Sequence, residues 1–102
     1  MKTYGDILDF WQVVLVWLMQ NQPSESEVIE VMSCFQLLAR AIRRDTGVQN
    51  FNNLATIRGQ DIGEQTAVWL YRTRMKLAKI DQHFDFWLEA KMNPAGRTNP
   101  ST

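Results

Sequence analysis

The stretch 61–92, DIGEQTAVWLYRTRMKLAKIDQHFDFWLEAKM, decides the fold. Ile62, Thr66, Trp69, Thr73, Leu77, Ile80, Phe84 and Trp87 follow one another at steps of three or four, flanked by Leu70 and Leu88. Such steps keep side chains on one face of an α-helix. The pattern predicts one long helix over 61–92, capped by Asp61, with Gly63 in the first turn. A stripe of that length needs a partner face to cover it.

The partner lies upstream. Val28, Val31, Met32, Phe35, Leu38, Ala39 and Ile42 form a matching stripe on a helix expected over 25–45. Ser24-x-x-Glu27 fits a capping box at its start. Glu25 and Glu30 lie toward the end that the helix dipole makes positive, and Arg40, Arg43 and Arg44 toward the opposite end. Gly47 is the stop signal. The two stripes are expected to pack antiparallel, joined by a short helix over 51–58 that Asn50 caps and Gly59 breaks.

Working further outward, a first helix is expected over 4–20. Thr3 caps it, Asp6 follows three residues on, and Asn21-Gln22-Pro23 ends it. Ile7, Phe10, Trp11, Val14 and Leu18 share one face. Val13, Val16 and Trp17 point elsewhere, and Leu8, Leu15 and Met19 fill much of the rest. A helix apolar nearly all round must be covered on more than one side. Either it is the central element or part of it meets another chain. The second alternative makes Val13, Val16 and Trp17 a candidate protein interface. Residues 93–102, rich in Asn, Pro, Gly and Thr, read as a flexible, disordered tail. The chain thus reads as all-α: a compact bundle of about four helices in a single domain over 1–92.

Composition narrows the function classes. The 102 residues are 45% hydrophobic and 22% charged, the balance of a globular domain and not of a disordered segment. One cysteine, Cys34, excludes an intramolecular disulfide, and one histidine, His83, gives no basis for a Cys/His zinc site. Cys34 sits beside the stripe of the second helix and reads as a small hydrophobe. The first apolar run, Ile7–Met19, is broken by Asp9 and Gln12 and falls short of the ~20 residues that span a membrane. With no secretory pattern visible, a cytoplasmic location without membrane attachment is expected. The acid pairs Asp6/Asp9, Asp81/Asp85 and Asp85/Glu89 lack a neighbouring histidine or a glycine-rich loop. Solvated faces and helix starts explain them, so no enzyme, metal or cofactor is expected.

The net charge of zero hides a polarised chain. Residues 36–80 hold Arg40, Arg43, Arg44, Arg58, Arg72, Arg74, Lys76 and Lys79 against Asp45, Asp61 and Glu64, a balance of +5. Residues 1–35 carry −4 and residues 81–102 carry −1. Arg72, Lys76, Lys79 and His83 share one stripe of the last helix, and Arg40 and Arg44 share a face of the second. Two readings stand side by side. The cations are solvated surface at favourable helix ends, or Arg40, Arg43, Arg44, Arg58, Arg72, Lys76 and Lys79 form a band that tracks a phosphate backbone. Tyr71 projects away from the core stripe and is placed either to stack on a base or to pack on a neighbouring helix.

The stretch 54–70, LATIRGQDIGEQTAVWL, resembles the small helical subunit of type III CRISPR effector complexes. In that family a short helix leads through a glycine-containing turn into a helix that begins Gln-Thr and continues with apolar residues and an aromatic. Leu54, Thr56, Ile57, Gln65, Thr66, Trp69 and Leu70 fall at comparable positions. Ala55 stands where proline is usual, and Ile62-Gly63 stands where the family has Gly-Leu. The resemblance implies a non-enzymatic subunit of an antiviral nucleoprotein, stacking on neighbouring subunits and contacting RNA or single-stranded DNA phosphates through basic residues. The alternative is a helical protein-interaction module, an inhibitor or a homodimeric adaptor, that uses the apolar surface of the first helix. Both expect other protein subunits as partners, by self-association or hetero-assembly.

Overall fold

The computed structural model describes residues 1–93. The expected flexible tail lies, Asn93 apart, outside the described residues. Among the described residues there are four α-helices and one 3-10 helix: α1 (Tyr4–Asn21), α2 (Glu25–Thr46), the short helix Phe51–Ile57, α3 (Glu64–Ile80) and α4 (Phe84–Met92). The described residues contain no strand, only an isolated bridge between Thr3 and Asp61. The fold is the all-α bundle expected from the periodicity.

Both predicted caps form, and Thr3–Asp6, expected as an N-cap, is a full capping box like Ser24–Glu27. The Thr3 hydroxyl accepts from the Asp6 N–H at 3.3 Å, and the Asp6 carboxylate accepts from the Thr3 N–H at 3.0 Å and the Lys2 N–H at 2.8 Å. Those two backbone donors hold the Asp6 carboxyl below its ordinary range. Ser24 and Glu27 repeat the arrangement at α2. At the far end of α2, Gly47 adopts φ 82°, and its N–H reaches the Arg43 carbonyl at 2.8 Å. A residue with a side chain rarely takes that left-handed conformation, which is why glycine ends the helix there.

α2 and α3 pack side by side and antiparallel. Asp45, near the end of α2, meets Thr66 at the start of α3, whereas Glu30 early in α2 meets Lys76 late in α3. Val31, Phe35, Leu38 and Ile42 on α2, with Leu70 and Leu77 on α3, are buried, as their stripes predict. α1 lies between the short helix and α4 and turns Tyr4, Ile7, Phe10, Val14 and Trp17 into the core. Phe10 joins the elements: its ring sits 5.7 Å from Phe35 of α2 and 6.5 Å from Phe84 of α4. One buried cluster therefore runs through every element. The molecule is flattened, 42 × 37 × 20 Å, about two helix diameters thick.

Four expectations are corrected. The predicted helix 61–92 is two helices, because the chain turns at Asp81–His83. Asp81 is extended (φ −135°), and its carboxylate accepts the Trp17 indole N–H and the His83 N–H, both at 2.9 Å. This turn lets α4 fold back over α1. Secondly, Asp61 does not cap α3. Gly63 occupies the cap position, and the acceptor comes from α2, where Asp45 Oδ2 takes the Thr66 N–H at 2.7 Å and the Thr66 hydroxyl at 2.8 Å. A side chain at 63 would place its Cβ 2.7 Å from Asp45 Cβ, so the close crossing requires glycine. Thirdly, the short helix is 3-10, Asn50 gives it no side-chain cap, and Arg58 lies just past its last residue. Fourthly, Trp17 is 1% exposed and cannot form an interface. Val13 is half-buried and Val16 is exposed.

Candidate nucleic-acid interface

The pairing of Lys76 with Glu30, at 3.5 Å, fixes which flank of α3 borders α2. Arg72 and Lys79, four before and three after Lys76, lie on that flank and above it, because helical neighbours recur at three and four residues. Arg74 lies on the opposite flank and reaches Asp85 of α4 at 3.3 Å. The Arg72 guanidinium rests over the Trp69 ring, 4.6 Å from its centroid. That stack holds a long side chain in place without neutralising it. Tyr71, Arg72, Met75, Lys76 and Lys79 together line one open hollow on the outer face of α3.

On α2 the flanks are equally well marked. Ala39 and Ile42 line a small recess with Val48, Phe51 and Leu54, which identifies the flank toward the short helix. Arg43 follows Ala39 by one turn and belongs to that flank. Glu30 marks the α3 flank. Arg40 and Arg44 are one turn apart and fall on the outer face, between the two flanks, given a turn of about 100° per residue. Both are exposed. The outer face of the α2–α3 layer thus collects Arg40 and Arg44 from one helix and Arg72, Lys76 and Lys79 from the other.

The expected band of seven cations therefore divides. Helical spacing places five on the same outer face, with Arg40 and Arg44 toward the Thr66 end of the helix pair and Lys76 and Lys79 toward the Glu30 end. Arg43 lies on the far flank of α2, and Arg58 is turned toward α1, where it pairs with Asp9 at 3.5 Å. His83 is exposed at the cap of α4 and belongs to the turn, not to the stripe. Among the described residues no carboxylate pairs with Arg40, Arg44, Arg72 or Lys79.

One feature of this face is not in the sequence reading, which singles out Tyr71 but not its apolar neighbours Val68 and Met75. Val68, Tyr71 and Met75 are 43%, 64% and 46% exposed and form an apolar line on the outer side of α3. Their spacing of three and four, opposite the core stripe, was the available signal. Cys34, in contrast, is half-buried as a hydrophobe should be, and burial pushes its thiol up. Among the described residues no group of His, Cys, Asp and Glu could hold a metal ion, and no helix is long and apolar enough to cross a membrane. No protein family, curated protein or solved structure matches the chain.

Proposed function

We propose that this chain is a non-enzymatic helical subunit of a nucleoprotein assembly that contacts phosphates through the outer face of α2 and α3. The observation that carries the reading is the hollow of Tyr71, Arg72, Met75, Lys76 and Lys79, with Arg40 and Arg44 on the same face. Cations without carboxylate partners repel one another and favour a polyanion that joins them. Arginine suits phosphate because its planar fork donates two hydrogen bonds at once. The resemblance of residues 54–70 to the CRISPR small subunit agrees with this role, since a short helix, a glycine-containing turn and a helix starting Glu64-Gln65-Thr66 follow in order. The adaptor reading keeps a smaller surface: with Trp17 buried, α1 offers Leu15, Val16 and Met19. In an assembly these residues serve contacts with neighbouring subunits.

The test is binding to a fluorescent single strand and a duplex across a salt series, with the protein's mass followed in parallel. Five phosphate contacts on a single strand predict that log K falls with log salt at a slope of about −3.5. Replacing Arg40, Arg44, Arg72 and Lys76 together by alanine should abolish binding, whereas Arg43→Ala with Arg58→Ala should leave it intact. Absence of binding at low salt, or equal losses in both variants, overturns the reading.

A further inference from the structure

We infer that Tyr71 and Met75 form a platform on which one base of a single-stranded nucleic acid stacks, with its flanking phosphates on Arg72, Lys76 and Lys79. This rests on the phosphate-binding reading above and adds the class of ligand: a strand with unpaired bases. The side chains of Tyr71 and Met75 stand between two hollows. On one side lie Arg72, Lys76 and Lys79; on the other lies the Arg74–Asp85 ion pair. A backbone laid on the second side would meet the Asp85 carboxylate, and on the first side it meets cations. The ridge therefore gives a bound strand one orientation, with backbone toward α2 and a base across the Tyr71 ring.

A surface that bound only phosphate would have no use for an exposed aromatic ring and a thioether along its edge. Every base has a π-face, so such a platform accepts bases without selecting among them. In a duplex the bases are already stacked and paired, which leaves the ring without a partner. Tyr71 is 64% exposed and contributes nothing to the core, so its replacement leaves the fold in place.

The experiment compares the whole chain and its Tyr71→Ala and Tyr71→Phe variants against a fluorescent oligothymidine and an abasic strand of equal length. Stacking of one base predicts that the wild type binds oligothymidine at least about fivefold more tightly than the abasic strand. Tyr71→Ala should lose that difference while binding the abasic strand as the wild type does, and Tyr71→Phe should keep it. Equal affinity for both strands overturns the platform and leaves the phosphate reading standing. Failure to bind either strand at low salt overturns both. Binding of an acidic peptide in preference to both strands would reassign the ridge to a protein partner and likewise overturn the inference.

Discussion

Asp45 is the residue whose removal tests the packing of α2 on α3 most directly. Its Oδ2 accepts two hydrogen bonds from Thr66, one from the backbone N–H and one from the hydroxyl. The first satisfies an N–H at the start of α3 that no residue of that helix can reach; losing such a cap costs about 1 kcal/mol. The second holds a hydroxyl in a residue that is 0% exposed, and leaving it with the 3.4 Å contact to Tyr4 Oη alone costs about 1 kcal/mol more. The carboxylate also faces the positive end of the α3 dipole, a further contribution of about 0.5 kcal/mol. Asp45→Ala should therefore destabilise the fold by about 2–3 kcal/mol, on the order of a 10 °C fall in Tm for a chain of this size. Asp45→Asn keeps the acceptor and removes the charge, so it should cost less than half as much. The measurement is urea unfolding followed by far-UV dichroism and tryptophan fluorescence. A loss below about 0.5 kcal/mol for Asp45→Ala would refute the argument, because no bond to a buried group could then depend on that carboxylate.

Two further substitutions probe the turn and the first cap. Asp81→Ala leaves the buried Trp17 indole N–H without its acceptor and should cost about 2 kcal/mol in urea unfolding; a continuous helix over 61–92 would instead gain from alanine, so a stabilised variant contradicts the break at 81–83. The Asp6 carboxyl lies below its ordinary range in the folded chain. The stability it contributes is present above the unfolded aspartate pKa and is lost as pH falls through the lower folded value. Asp6→Asn should therefore flatten the acid limb of a stability–pH profile, and an unchanged acid limb would show that the cap carries no linked proton.

The all-α fold was legible because the stripes on α2 and α3 have helical spacing and because Thr3–Asp6 and Ser24–Glu27 announce two helix starts. The break at Asp81 was not. Leu77, Phe84 and Leu88 stay in phase with one continuous helix, so periodicity passes over a turn that keeps the same residues inward. Two bonds to the Asp81 carboxylate hold the turn: a local one from the His83 N–H, and one from Trp17, 64 positions away, that no local pattern carries. The same holds for the start of α3, where the cap comes from Asp45 across the helix pair and not from Asp61 beside it. Trp17 was misread for a related reason. An all-apolar helix gives no polar face to orient it, and the helix that covers Trp17 appears only once the chain has turned at 81. For the site, helical spacing grouped Arg72, Lys76 and Lys79 and grouped Arg40 with Arg44, but it could not exclude Arg43 or Arg58. Their exclusion depends on which flank of α2 meets α3 and on Arg58 reaching Asp9.

The arrangement of charge follows from how the acids are used. Asp6 and Glu27 cap α1 and α2, Asp45 caps α3 from across the helix pair, and Asp81 holds the turn before α4. Each of these carboxylates is placed by backbone N–H groups, and those lie at helix starts and at the turn. Asp9 pairs with Arg58 against α1, and Asp85 pairs with Arg74 on the α4 flank of α3, across the Tyr71–Met75 ridge from the cations of the outer face. Among the described residues Glu30 alone pairs with a cation of that face. A chain of zero net charge that commits its acids to helix starts and flanks leaves its cations concentrated elsewhere. The basic face therefore does not require an excess of lysine and arginine. It requires only that Arg40, Arg44, Arg72 and Lys79 lie where no helix begins, and the later turns of α2 and α3, the last turns included, are such places.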